Sequence, residues 1–367
     1  MSIVVKGKEK FIIDRTLINI TKKSFDEDGL LKFTMNLKRI GVDFFEIDER
    51  TFNSVRPLIS SEAFIFRIDK MDQLKICREN DIEYIIIREE DLESIKICDV
   101  EKDYNFKVIL EIDVNTNKND FMQKISEDID LNRLFSIRFS GVSNCFFNNY
   151  IFLNDYINGK YNVKTNIYAS DEFYMATAAG FQAAIQGIDY ITTSFCGRDG
   201  VFGTTALEEL LVSLKVIMGE KYIFKEKNIS KEEVISKEKL NGGISLLSEM
   251  RQQYEKITYT KLAINKPIIG KDIFKYESGV HVAGIEKNPV TYEPFMPEIV
   301  GMKRKLALGK HSGKNSITLK LKELSIDNKF SAFEILNILD RVKENSIANK
   351  TEVPDKDFID ICRGIKG

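Results

Sequence analysis

Histidine is almost missing from this 367-residue chain: it has two, His281 and His311, both late in the sequence. Histidine is the usual carrier of protons near neutral pH and a frequent metal ligand, so chemistry that needs imidazole is confined to that late stretch. Cysteine is scarce and scattered. Cys77, Cys98, Cys145, Cys196 and Cys362 show no CxxC or other ligand spacing, which fits reduced thiols rather than a disulfide framework. Charge of one sign is lacking too. The formal net charge is −2, leaving no basic field to attract nucleic acid or anionic lipid. No apolar run approaches the ~18 residues of a membrane span, and the opening MSIVVKGKEKFIIDRT has no signal-peptide core. The resulting expectation is a cytoplasmic protein with neither nucleic-acid nor membrane partners.

Short apolar runs are plentiful in the first 220 residues. Strands are expected at 10–14, 42–48, 63–69, 82–88, 106–113, 134–140, 163–169 and 189–195, each rich in Ile, Val, Phe or Tyr and too short for a buried helix. Helical patterns lie between most of them, as at Phe25–Ile40, Asn117–Glu127 and Asp171–Gly187, the last with Asp171 as N-cap. Eight strands alternating with helices predict a (β/α)8 TIM barrel over 1–220, with a doubly wound sheet as the alternative. Residues 220–240 are charge-dense, and Ser230 with Glu233 forms a capping-box pattern. A mainly helical subdomain is expected over 221–367.

Barrel enzymes place their chemistry at the C-terminal ends of the strands. There the first strand offers Asp14, Arg15, Thr16 and Asn19, the seventh Asn166, Tyr168, Ser170 and Asp171, and the eighth glycines with Arg198. A divalent ion needs several oxygen or imidazole ligands converging on one point, and these ends supply no obvious set. The late motifs are richer. In ESGVHVAGIEKNPVTY, spanning 277–292, Glu277, His281 and Tyr292 could form a carboxylate–imidazole–phenol proton relay, or a packed histidine and tyrosine. In GKHSGK, 309–314, Gly, Lys, His311 and Ser312 suit an anion-binding or helix-starting loop. The spacing is not that of a P-loop, which argues against nucleotide hydrolysis.

Over 277–326 the pattern ESGVHV…KNPVTYEPFMPEIVG…ALGKHSGKNSITLKLKELSI resembles the region beyond the barrel in the 2-isopropylmalate synthase and homocitrate synthase family. MATAAGFQAAIQGIDYITTS and TTALEELLVSL match the last two βα units more loosely. The resemblance implies a Claisen condensation of acetyl-CoA with a 2-oxo acid, with a divalent metal polarising the keto group. It also implies that the lid segment, 276–295 here, serves the neighbouring subunit's site, with His281 and Tyr292 assisting proton transfer. The family often has an acidic residue where Ala283 stands.

The first strand departs from the family's D-T-T-L-R-D: its arginine falls on Ile18 and its metal-binding aspartate on Asn19. The two metal-binding histidines fall on Tyr168 and Ser170. G-x-G-E-R-x-G-N becomes GRDGVFGT, and a D-T pair falls on Gly141-Val142. Isoleucine donates no hydrogen bond and serine is a poor substitute for imidazole at a transition metal. The expectation is a barrel that holds no metal and is inactive alone. It would be the omega-type subunit of a split homocitrate synthase that condenses acetyl-CoA with 2-oxoglutarate, as in some nitrogen-fixing anaerobes. An alpha-type partner would carry Mg²⁺ or Mn²⁺. Catalytic roles are then expected for His281, Tyr292 and Glu277, and substrate contacts for His311, Ser312 and Asp14. The roughly fifty residues after GKHSGK are too few for a leucine- or isoleucine-sensing domain, so the homocitrate type is expected. A regulatory or scaffolding pseudoenzyme of an isopropylmalate or citramalate synthase is the alternative.

Overall fold

A computed structural model describes residues 2–21, 25–57, 63–92, 105–114, 131, 134–141, 154–155, 157–161, 163–225, 243–278, 284–285, 288–326 and 330–366. The expected helix 117–127, the Ser230 and Glu233 cap and His281 lie outside the described residues.

Parallel strands covered on both faces need near-continuous apolar runs, and the sequence supplies them. The strands are β2 (Lys8–Asp14), β3 (Phe44–Ile47), β4 (Phe64–Ile68), β5 (Tyr84–Arg88), β6 (Lys107–Asp113), β7 (Ser136–Ser140), β8 (Lys164–Tyr168) and β9 (Tyr190–Thr193). Each pairs in parallel with the next, and β2 pairs with β9 through Phe11↔Tyr190 and Asp14↔Thr193, closing an eight-stranded barrel. Every one coincides with an expected strand. Two further strands extend the sheet: β1 (Ser2–Val5) pairs antiparallel with β2 and with β10 (Tyr222–Lys225). The β1–β2 turn consists of Lys6 and Gly7, both at positive φ (50° and 79°). That is the hand a two-residue hairpin requires, and glycine takes it without strain.

The barrel interior is layered. Toward the N-terminal ends Ile13, Ile65, Ile86, Ile109 and Tyr190 pack together, joined by Phe11, Phe44, Tyr84 and Phe135. The ammonium of Lys164 lies over the rings of Phe11, Phe135 and Tyr190, 5.3–5.7 Å from their centroids. The layer above, toward the C-terminal ends, is charged.

Two helices follow the expectation with shifted starts. Glu27–Arg39 buries Leu30, Phe33 and Leu37 on one face. Ala176–Gln186 begins later than Asp171, and its N-cap position is Met175. Asp171 nevertheless accepts a hydrogen bond from the Ala176 amide (2.9 Å), so the carboxylate serves the helix start from outside the cap. The intervening turn exposes Phe173 and Tyr174.

The chain divides into compact units 1–261 and 262–367. The first therefore runs past the division near 220 read from the sequence, because the helix Leu247–Thr258 belongs to it. Tyr254 of that helix is buried against Phe33 and Phe195, with centroids 5.9 and 5.4 Å away. Asn36 donates to Gln253 at 3.1 Å. In the second unit the helices Lys314–Glu323, Ala332–Asn349 and Asp355–Lys366 enclose Leu308, Ile317, Ile338, Val342 and Phe358. Ser331 and Glu334 form a reciprocal capping box at the start of the middle helix. No described helix is long and apolar enough to cross a membrane.

Candidate functional site

Four strands carry a charged residue with apolar neighbours on both sides: Glu46 in FFEI, Arg67 in FIFRI, Glu111 in KVILEID and Arg138 in SIRFS. Period-2 alternation aims all four into the barrel, where Arg15 and Asp199 join them. Arg15 Nη1 donates to Glu46 Oε1, and its Nε donates to Asp199 Oδ2 at 2.5 Å. Arg67 Nε also reaches Glu46 Oε1 (2.9 Å), while its Nη1 and Nη2 form a two-pronged contact with Glu111 at 3.1 and 2.6 Å. Arg138 Nη1 bridges Glu46 Oε2 (2.5 Å) and Glu111 Oε2 (3.2 Å). Tyr168 donates its hydroxyl to Asp199 at 2.8 Å, and the Arg15 guanidinium lies 4.6 Å from the centre of its ring.

Three guanidinium groups thus face three carboxylates, all of them largely buried. A carboxylate buried like Glu46 would by desolvation alone become neutral. The surrounding Arg138, Arg15 and Arg67 outweigh that penalty and hold its pKa well below the usual carboxylate range. At Tyr168 the same burial outweighs the pull of Arg15 and raises the phenol pKa.

A divalent ion does not fit this set. Asn19, expected from the resemblance to stand where the family has an aspartate, donates its amide to the Arg198 carbonyl (2.9 Å) and to Asp199 Oδ1 (3.4 Å). Tyr168 spends its hydroxyl on Asp199, and Ser170 donates to Glu172 at 3.2 Å. Ile18 is buried in the short helix Thr16–Ile20. The carboxylates that remain already accept from guanidinium groups, whose positive charge would repel a cation. Among the described residues no group of three or more His, Cys, Asp or Glu side chains is placed to hold a metal ion.

Asp14, expected at the substrate, is fully buried. One oxygen accepts from the Thr16 amide and the other from the Thr16 hydroxyl, both at 2.9 Å, so the group starts a helix rather than facing the mouth. Burial raises its pKa to about 7 despite those two bonds. Beside the closed mouth lies an open cleft of about 440 Å³, lined by Asn19, Cys196, Arg198, Gly203, Tyr254 and Thr260 among others.

In the second unit Glu277 faces the GKHSGK loop. Its Oε1 accepts from the His311 amide at 2.7 Å, and a Cβ at Gly309 would meet that oxygen at 2.5 Å. Ser312 is buried, with its Oγ accepting from the Gly309 amide at 2.9 Å. Glu277 and Ser312 therefore hold the loop that opens the helix Lys314–Glu323, while the His311 side chain is exposed. Tyr292 is 43% exposed, and the adjacent Glu293 is buried. Reading by motif passed over Glu293 and Arg304, as it passed over the four barrel charges. For those four the signal, a charge flanked on both sides by apolar residues within a strand, was visible in the sequence.

Comparisons with known proteins converge. The family model described as homocitrate synthase post-HMGL domain-like matches residues 268–350. The chain is 32% identical to the homocitrate synthase omega subunit of Clostridium pasteurianum, over 99% of this chain and 98% of that one. It is 32% identical to the homocitrate synthase AksA of Methanothermobacter thermautotrophicus, over 55% of this chain and 46% of the relative. The fold is similar to the N-terminal domain of a putative aldolase from Bacteroides vulgatus, with a TM-score of 0.50, 13% identity, and coverage of 67% of this chain and 88% of that one.

Proposed function

Given that this chain belongs to the homocitrate synthase family, similar along its whole length to an omega subunit, we propose that it is the subunit of a split homocitrate synthase that lacks a working barrel site. The condensation it serves joins acetyl-CoA to 2-oxoglutarate. The acetyl methyl group loses a proton, the resulting enolate adds to the keto carbon, and water hydrolyses the thioester to release CoA and homocitrate. A divalent ion, where that chemistry uses one, belongs to the alpha-type partner's barrel. This chain contributes Tyr292 and His281 to the partner's site, to move the proton at the acetyl methyl group. Glu277 and Ser312 support that segment by ordering the loop behind it, and the exposed His311 is the candidate for contact with substrate. The product is assigned to the iron–molybdenum cofactor of nitrogenase, as in the split enzymes that the sequence resembles.

One observation carries this reading: Arg15, Arg67 and Arg138 occupy the barrel mouth and neutralise Glu46, Glu111 and Asp199. A chain whose own mouth is closed in this way is needed for something other than its own pocket. The test is CoA release from acetyl-CoA and 2-oxoglutarate by this chain alone, by the alpha-type partner alone and by the mixture. Turnover is expected from the mixture and not from this chain. Substantial turnover by the isolated chain overturns the closed-barrel reading. A mixture at full rate with both His281→Ala and Tyr292→Phe overturns the donated residues and leaves scaffolding.

A further inference from the structure

The loop that carries Tyr292 is tied twice at its base. Phe274 and Phe295 meet edge to face, with ring centroids 5.4 Å apart and planes at 88°. One step further in, the Tyr276 hydroxyl donates to Glu293 Oε1 at 3.0 Å. Arg304 completes the knot: its Nε donates to Glu293 Oε1 at 2.8 Å and its Nη2 to Oε2 at 2.7 Å. Such a planar fork on a carboxylate fixes direction as well as distance. Tyr276 and Arg304 are brought together by a short parallel pairing, Lys275↔Lys305 and Tyr276↔Leu306. Residues 276 and 293, seventeen positions apart in sequence, are thereby joined to each other and to Arg304.

Within that loop the backbone is bonded to itself. The Asn288 amide donates to the Gly284 carbonyl at 2.8 Å, and the Tyr292 and Glu293 amides donate to the Pro289 carbonyl at 3.1 and 3.0 Å. The Tyr292 ring rests on Gly284. A Cβ there would stand 2.6 Å from Tyr292 Cε2 and 3.4 Å from Cδ2, closer than the ring can tolerate. The phenol of a surface tyrosine is thus placed from two sides: by the neighbouring buried Glu293 through the backbone, and by the bare backbone of Gly284 under the ring.

We propose that Glu293, clamped by Arg304 and Tyr276, is the positioning residue for Tyr292, and that Gly284 is the seat of its ring. The inference rests on Tyr292 being the phenol donated to the partner's site. None of the four supporting residues touches reacting atoms; they present the phenol in one ordered position, so that order need not be acquired when the complex assembles.

The test combines kinetics of the mixed complex with a signal from this chain alone. Tyr292→Phe, Gly284→Ala and Glu293→Gln are each mixed with the alpha-type partner, and Arg304→Lys serves as the conservative variant that keeps the charge and loses the fork. Tyr292→Phe is expected to lower kcat by about 10²-fold, and Gly284→Ala and Glu293→Gln by about tenfold, each with KM for acetyl-CoA changed less than about twofold. Arg304→Lys should fall between Glu293→Gln and the parent. In parallel, 3-fluorotyrosine is placed at 292 in the isolated chain. Its ¹⁹F resonance is expected to differ from that of free fluorotyrosine in the parent, and to move toward the free value in Gly284→Ala and Glu293→Gln. If Tyr292→Phe lowers kcat while both supporting variants keep the parental rate and resonance, the positioning proposal is overturned. If Tyr292→Phe runs at full rate, the donated-phenol reading falls instead, and the resonance shifts alone then report whether the seat exists. Should Gly284→Ala fail to fold, Glu293→Gln decides.

Discussion

Arg15 ties Glu46 to Asp199 across the mouth of the barrel, with Nη1 on the first and Nε on the second at 2.5 Å. One guanidinium thereby joins the ends of β2 and β9, which close the barrel, and of β3 beside them. Arg15→Met should destabilise the chain by about 3 kcal/mol, since removing one partner of a buried ion pair leaves the other charged and uncompensated. Arg15→Lys should recover only part, because a compact ammonium lacks the planar fork that reaches Glu46 through Nη1 and Asp199 through Nε. Denaturant midpoints measure both. Unchanged stability in Arg15→Met would show that the mouth network does not help to hold the barrel together.

Asp14 gives the stability a slope with pH. Its folded pKa is raised to about 7 from 3.8, so the folded state binds the proton more tightly than the unfolded one. The stabilisation is present in full below pH 3.8 and is lost as pH rises through about 7. Each tenfold difference in proton affinity between the two states is worth ~1.4 kcal/mol, so the loss amounts to a few kcal/mol. Asp14→Asn keeps an acceptor for the Thr16 amide and should flatten that slope. Glu46 acts oppositely: its lowered pKa adds stability above about pH 4.5 that fades on acidification. Thermal midpoints from about pH 4 to about pH 8 compare the parent with Asp14→Asn. An equal slope in Asp14→Asn would place the titration elsewhere.

Glu277 separates a clamp from a proton relay. As a clamp it needs only an acceptor for the His311 amide at 2.7 Å. Glu277→Gln should then cost about 1 kcal/mol or less and leave the mixed enzyme near its parental rate, whereas Glu277→Ala should cost about 1–3 kcal/mol. A large fall in kcat for Glu277→Gln, with the thermal midpoint unchanged, would return its carboxylate to the proton path.

Gly180 tests how tightly the helix Ala176–Gln186 lies on the barrel. A Cβ there would stand 2.7 Å from Thr205 Cγ2 and 2.9 Å from Thr205 Oγ1, whose hydroxyl donates to the Ala176 carbonyl at 3.0 Å. Overfilling this contact in Gly180→Ala should cost about 1–3 kcal/mol, read from the urea midpoint. A more stable variant would mean that Thr205 can turn away.

The barrel was legible because its signal is local. Runs such as FKVILEID and IEYIIIR are too apolar and too short for anything but buried strands, and all eight were found in place. Helix starts were less legible, as with Asp171, whose carboxylate reaches Ala176 from five residues away. The expectation that Asn19, Tyr168 and Ser170 stand where the family has metal ligands likewise comes from the motif, because it depends on residue type alone.

Composition and pattern by themselves determined the strand order, the absence of an imidazole site in the barrel and the lateness of both histidines. Only the tertiary structure decided which charges meet inside the barrel. Glu46, Arg67, Glu111 and Arg138 come from four different strands, and nothing along the chain says that they neutralise one another, because ion pairing depends on distances that closure of the sheet creates. The same holds for Tyr292. Its seat on Gly284 and the Glu293–Arg304 fork arise from contacts between residues that are neighbours only once the loop is joined at its base.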